Sequence, residues 1–152
     1  MARTLRIFYI GQLWEGSTTL ERMRLLQQMG HEIVPVDTSP WSRGGVRLLG
    51  SLAHRLNVGP PVWRLNESVA HAANAAGSMD AVWVDKGRWI YPETLLDLKR
   101  RSGATLIHYT PDAQLLINRS RHFDACIPLY DVMVTTKPFE VELYKKAGAK
   151  EV

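Results

Sequence analysis

The alternation of short apolar runs with helical segments is the feature of this sequence that most restricts its fold. Apolar runs rich in β-branched residues occupy positions 5–10, 32–36, 81–85, 105–109 and 132–135. Segments with helical periodicity lie between these runs at 17–29, 62–76 and 92–101, and another follows the last run at 138–146. This order is typical of parallel strands, because each parallel connection needs a long crossover, usually a helix. We therefore predict an α/β fold: a Rossmann-like (flavodoxin-like) parallel sheet of about five or six strands with helices on both faces.

Local signals refine this prediction at the ends of the elements. Thr18 and Glu21 have the spacing of a capping box, which predicts the start of the first helix, and Gly30 predicts its end. The stretch 39–59 is less regular and indicates a loop with one weak helix at 46–56. Residues 151–152 resemble the beginning of another strand. We therefore expect either a piece of a longer protein or a domain whose last strand continues.

Composition and charge exclude several other classes of protein. The chain has 152 residues, 45% hydrophobic and 22% charged, which fits one globular domain over residues 1–152. No apolar run approaches the roughly 20 residues that span a bilayer. The single cysteine, Cys126, excludes a disulfide framework, and the scattered histidines have no metal-binding spacing. We expect a cytoplasmic domain with no membrane span, no metal and no resident cofactor.

The excess of basic residues does not indicate nucleic-acid binding. The net charge is +4, but its densest runs, at 99–101 and 145–146, fall in the last turns of predicted helices. Cations there are stabilised by the helix dipole, and the aromatic residues that nucleic-acid binders interleave are absent around both runs. We therefore predict no nucleic-acid partner.

The loops that follow the strands are the expected ligand site, because parallel sheets bind ligands beyond the carboxyl ends of their strands. Gly11 and Gly16 flank four residues between the first strand and the first helix, which is the frame of a phosphate-binding P-loop. Ser17 stands where that loop needs its lysine, so the NTPase interpretation fails. The loop either binds an anion or a sugar hydroxyl through backbone N–H groups, or the glycines only form the turn.

Two carboxylates near the expected cleft are the predicted catalytic residues. Glu15 lies in the first loop and Asp112 follows the fourth strand, so either could remove a proton from a hydroxyl group. Glu15 would also stabilise the helix start without any catalytic role. Asp85, Lys86 and Arg88 after the third strand form either a polar clamp on a substrate or a solvated turn.

The predicted substrate-binding residues share a place in or beside these loops. They are Gly11, Gln12, Trp14, Gly16, Ser17, Thr18, Asp85, Lys86, Arg88, Thr110, Arg119 and Lys137.

Several segments together resemble glycosyltransferases of the GT-B type, in the CgeB-like (spore-protein-type) family. The segments are GQLWEGSTTLERMRLLQQMGHEIVPVD, HYTPD and SRHFDACIPLYDVMVTTKPFEVELYKKAGAKEV. The resemblance covers most of the chain except positions 39–79, and it depends on the order and spacing of these segments. It implies a Rossmann-like N-terminal domain that supplies the acceptor side of a two-domain enzyme. The donor, a nucleotide-sugar, would be bound mainly by a C-terminal domain that this sequence lacks.

The resemblance also carries over individual positions. Gly11, Gly16, Ser17 and Asp112 match loops that face the cleft, whereas the first loop has Glu15 and no histidine, so no catalytic base is carried over. The implied partners are the C-terminal domain and a small-molecule or glycan acceptor. We expect this chain alone to be inactive. A different class remains open: a stand-alone, non-catalytic ligand-binding or regulatory domain of flavodoxin-like topology.

Overall fold

The computed structural model describes residues 3–43 and 57–152 and confirms the predicted fold class. Five parallel strands form one sheet in the order β2-β1-β3-β4-β5. The strands are β1 (Arg6–Gly11), β2 (Glu32–Asp37), β3 (Ala81–Asp85), β4 (Thr105–Thr110) and β5 (Val132–Thr135). This is a Rossmann-like α/β fold with the flavodoxin-like strand order.

Helices connect the strands, and the two faces of the sheet have separate cores. The helices are α1 (Thr18–Gln28), α2 (Ser39–Arg43), α3 (Pro60–Ala76), α4 (Pro92–Ser102), α5 (Gln114–Ile117), α6 (Arg121–Cys126) and α7 (Val141–Lys146). Short 3₁₀ turns precede β5 and α7, at Ile127–Leu129 and Pro138–Glu140. In β1, Phe8 and Ile10 belong to the larger core, which includes side chains of α3 and α4, whereas Tyr9 packs with α1. Successive side chains of β1 point to opposite faces of the sheet, so they contribute alternately to the two cores.

Most predicted elements are present with small changes at their ends, but several details differ. The helices α5 and α6 between β4 and β5 were not predicted. Ser17 caps α1, because its hydroxyl accepts a hydrogen bond from the Leu20 N–H at 3.1 Å, so the predicted capping box at Thr18 is wrong. The short helix α2 forms where we predicted a loop, and the helix predicted at 46–56 lies outside the described residues. The last predicted helix divides into a 3₁₀ turn and α7.

The last two residues run beside the edge of the sheet. They have no regular secondary structure, but the Met133 N–H of β5 donates to the Glu151 carbonyl at 2.9 Å. Within the two described ranges, no helix is both long and apolar enough to cross a bilayer.

The close approach of α1 to the end of β1 depends on Gly11. A Cβ atom at this position would lie 2.5 Å from Thr19 Cγ2, inside any normal contact distance. The Thr19 methyl group cannot rotate away easily, because its hydroxyl donates to Asp85 at 3.2 Å. Gly11 therefore contributes to packing, and this packing sets the position of α1 over the sheet.

We expect Gly11→Ala to lower the free energy of unfolding by about 1–3 kcal/mol, since it overpacks this contact. Thr19→Ser removes the opposing methyl group and keeps the hydroxyl, so the double variant should regain much of the loss. Denaturant unfolding of the two single variants and the double variant measures the coupling. Purely additive losses would contradict a steric origin.

Candidate functional site

A pocket of about 240 Å³ opens beyond the carboxyl ends of β1, β3 and β4. This is the place where the chain turns to opposite sides of β1, since β2 and β3 flank that strand. Connections that diverge from neighbouring strands leave a crevice there, and ligands of such sheets bind in it. Ile10, Leu65 and Ile90 are apolar residues of the lining, and most of the other lining residues carry charged, amide or hydroxyl side chains. The pocket opens at the edge of the sheet where we predicted the ligand site, beyond the carboxyl ends of the strands.

Asp85 anchors the floor of this pocket. It ends β3, and its side chain is fully buried. One carboxylate oxygen lies 3.0 Å from the Tyr9 hydroxyl and 3.3 Å from Arg22 Nε, and the other accepts from the Thr19 hydroxyl at 3.2 Å. Asp85 therefore joins β3 to β1 and to α1 through one carboxylate.

Burial sets the electrostatics of this anchor. It raises the pKa of the Asp85 carboxyl above its usual value, while Arg22 and the hydroxyls of Tyr9 and Thr19 act to lower it. Burial, together with the Asp85 charge, also raises the pKa of Tyr9, so its hydroxyl stays protonated at neutral pH. A carboxylate with all of these partners is suited to hold the fold rather than to exchange protons with a ligand.

Arg22 is itself held by an aromatic row on the sheet. Its guanidinium carbon lies 3.9 Å from the centre of the Tyr109 ring, a cation–π arrangement. Trp83 stacks between Tyr9 and Tyr109, with ring centres 6.1 and 5.7 Å away. These contacts fix α1 on this side of the sheet and so fix one wall of the pocket.

A strained turn follows Asp85. Lys86 has a φ of 67° and Gly87 a φ of 55°, a conformation that a lysine rarely adopts. At Gly87 a Cβ atom would lie 2.6 Å from Val84 Cγ1, so this position also has no space for a side chain. The Lys86 carbonyl accepts hydrogen bonds from His108 Nε2 at 3.1 Å and from the Gln114 amide at 3.2 Å. Two buried side chains therefore hold the turn in its strained form.

The turn presents Lys86 to Asp112. Lys86 Nζ lies 2.9 Å from Asp112 Oδ2, and the two side chains are 39% and 34% exposed to solvent. The Asp112 N–H donates to the Thr110 hydroxyl at 3.2 Å, which fixes the start of the loop after β4. Asp112 is therefore an accessible carboxylate at a defined position, unlike Asp85.

Arg88 completes the charged lining. Its carbonyl accepts from the Ser120 hydroxyl at 2.7 Å, which fixes the backbone at this point. Its Nε is buried and has no hydrogen-bond partner within residues 3–43 and 57–152. Partial burial lowers the pKa of the guanidinium from its ordinary value, with no carboxylate acting in the opposite direction.

The structure brings together five of the predicted site residues in the pocket lining: Gln12, Asp85, Lys86, Arg88 and Asp112. Glu15 lies elsewhere. Its side chain is 79% exposed and forms an ion pair with Arg24 at 2.6 Å. Glu15 is therefore outside the pocket lining that contains Asp112.

The remaining predicted residues do not line the pocket, although some of them support it. Gly11 packs against Thr19, Ser17 caps α1 and Thr110 holds the Asp112 loop. Trp14, Gly16 and Lys137 lie in loops and Thr18 begins α1, and none of these four residues lines the pocket. Arg119 is 61% exposed and pairs with Asp124 at 2.9 Å.

Several residues of the lining were not predicted from the sequence. Thr38, Trp89, Gln114 and Asn118 all contribute to it. Gln114 begins α5 and Asn118 follows it, in the segment after β4 that we predicted to face the ligand, so position was the available signal. The burial of Gln114, which turns its amide towards Lys86, depends on tertiary packing.

No protein-family model matches the sequence, and a search of curated proteins finds no match. In the described part of the chain, no three His, Cys, Asp or Glu residues are grouped so that they could hold a metal ion.

We expect the stability of the protein to depend on pH through His108. Burial lowers the pKa of this histidine from 6.5 to about 4, so it stays neutral in the fold while the unfolded chain takes up a proton. The unfolded state thus binds more protons below pH 6.5. The free energy of unfolding should therefore fall by about 2 kcal/mol between pH 7 and pH 5. Denaturant unfolding across this range measures the slope.

His108→Gln removes the titrating group and keeps an amide donor, so it should flatten this part of the profile. The exposed His71 on α3 supplies the control, since His71→Gln should leave the slope unchanged. An equal slope in His108→Gln and the original protein would show that another group causes the dependence.

Proposed function

We propose that this chain is the acceptor-side domain of a GT-B glycosyltransferase, which acts with a C-terminal domain that binds the nucleotide-sugar. The observation that carries the proposal is the placement of Asp112 in the pocket at the switch point of a Rossmann-like sheet. Its carboxylate is accessible and lies 2.9 Å from Lys86 Nζ. The order of the sequence segments that resemble this family supports the same assignment.

In this proposal Asp112 is the general base. A sugar acceptor in the pocket places one hydroxyl on Asp112, which removes its proton as the oxygen attacks the sugar carbon of the donor. Lys86 holds the carboxylate in place and takes part in binding the hydroxyl. The apolar lining residues Ile10, Leu65 and Ile90 exclude water from one side of the ring.

The departing nucleoside diphosphate carries negative charge that must be stabilised. In our proposal the C-terminal domain supplies most of this stabilisation, and cations at the pocket contribute from this side of the cleft. The acceptor is a small molecule or a glycan. The proposal includes neither a nucleic-acid partner nor a metal, and it keeps the expected cytoplasmic location.

An NMR titration of the isotopically labelled chain tests whether this domain binds the acceptor and leaves the donor to the other domain. We expect sugar acceptors to shift the NMR signals of the Lys86–Arg88 turn and of the Asp112 loop, and nucleotide-sugars to bind weakly. The purified chain should neither hydrolyse nor transfer from a nucleotide-sugar, because the proposal assigns donor binding to a C-terminal domain. Robust turnover by this chain alone would contradict the proposal.

With a donor-binding domain supplied, Asp112→Asn should lower kcat by about 100-fold or more and change KM little, since a general base contributes that much to the rate. Glu142→Gln is the matched control, because this exposed carboxylate on α7 pairs only with Lys145 at 2.9 Å among the described residues. Glu15→Gln tests the other predicted base. A comparable loss in Glu15→Gln with none in Asp112→Asn would assign the proton transfer to Glu15.

One observation favours the second candidate, a stand-alone ligand-binding or regulatory domain without turnover. The two acidic side chains in the pocket lining already have cationic partners: Asp85 pairs with Arg22 and Asp112 with Lys86. Ligand binding that persists in Asp112→Asn, with no transfer from any donor domain, would support this candidate.

A further inference from the structure

One cation in the described pocket lining has no anionic partner once the ion pairs are assigned. Asp85 is paired with Arg22 at 3.3 Å, and Asp112 is paired with Lys86 at 2.9 Å. Arg88 is the remaining charged residue of the lining, and within residues 3–43 and 57–152 its guanidinium forms neither an ion pair nor a hydrogen bond. The described lining and its partners therefore leave one positive charge uncompensated.

The position of Arg88 makes this charge costly without a ligand. Its Nε is buried, and Trp89 and Ile90 after it are part of the larger core. A buried polar group without a partner raises the free energy of the folded state, and an anion that accepts its hydrogen bonds offsets that cost. Arginine suits a carboxylate or a phosphate in particular, because its planar fork can donate two parallel hydrogen bonds.

The rest of the lining indicates what the anion is attached to. Gln12, Asp112 and Asn118 line the same pocket, and amide and carboxylate groups are natural partners for hydroxyls. The volume of about 240 Å³ is below the usual range for drug-sized ligands, so the ligand is small. A single sugar unit with one acidic group combines these properties.

We propose that the pocket binds a small polyhydroxylated ligand carrying one carboxylate or phosphate, and that Arg88 binds this anionic group. The inference rests on the proposed function, since it names the class of the acceptor. It places the anion beside the Lys86–Gly87 turn and leaves the hydroxyls towards Asp112. The acceptor pocket thereby selects acidic sugars over neutral ones.

Calorimetric or NMR titrations of the full chain with four probes test the proposal: glucuronate, glucose 6-phosphate, glucose and inorganic phosphate. We expect at least one of the two acidic sugars to bind about 10- to 100-fold more tightly than glucose, the range for a hydrogen-bonded charged group. The two acidic sugars distinguish a carboxylate from a phosphate. Binding should weaken as salt rises, because the interaction is between charges.

Arg88→Gln should remove the preference for acidic sugars, and Arg88→Lys, which keeps the charge without the fork, should retain part of it. Arg100→Gln is the control, since Arg100 is 76% exposed and pairs with Asp97 on α4. A native-like amide spectrum for each variant shows that the fold is intact. If Arg88→Gln does not fold, Arg88→Lys still reports the loss.

Equal binding of glucose and both acidic sugars would overturn the inference, and so would an unchanged preference in Arg88→Gln. Binding of inorganic phosphate alone would overturn the sugar part of it. If no probe binds, the proposal fails, and an acidic side chain of another protein becomes the alternative partner of Arg88. None of these binding measurements requires glycosyl transfer. If the enzymatic proposal fails, the binding data for Arg88 still decide whether the pocket takes an acidic sugar.

Discussion

The hydrogen bonds and the ion pair of the buried Asp85 carboxylate position the rest of the site. Asp85 ends a central strand. Its partners are Tyr9 on β1 and two residues of α1, Thr19 and Arg22. A buried charge is stable only when its partners surround it, so this group holds three elements in one arrangement. The direction of the chain after β3 follows from that arrangement.

The turn after Asp85 converts this anchor into a binding surface. Lys86 and Gly87 adopt positive φ values. The side chains of His108 and Gln114 donate hydrogen bonds to the Lys86 carbonyl. Strain of this kind persists only where the surroundings enforce it, and it recurs at functional sites. The result is a lysine that meets Asp112 across the crevice, with Arg88 two residues further on.

The two proposals depend on different parts of this surface. Asp112 carries the catalytic proposal, because it is the accessible carboxylate at the switch point. Arg88 carries the proposal for the ligand, because its charge has no partner among the described residues. The structural role of Asp85 explains why these functions fall to its neighbours, since its own carboxylate is occupied by Tyr9, Thr19 and Arg22.

The order of apolar runs and helical segments was sufficient to predict the parallel sheet, the extent of β3 and the edge at which the pocket opens. These properties follow from periodicity and chain direction, which are local. The separation of Glu15 from Asp112, the burial of Gln114 and the lack of a partner for Arg88 were decided by the tertiary structure. They depend on which residues distant in sequence pack together and which charged groups form ion pairs. Local sequence patterns contain no information about these long-range contacts.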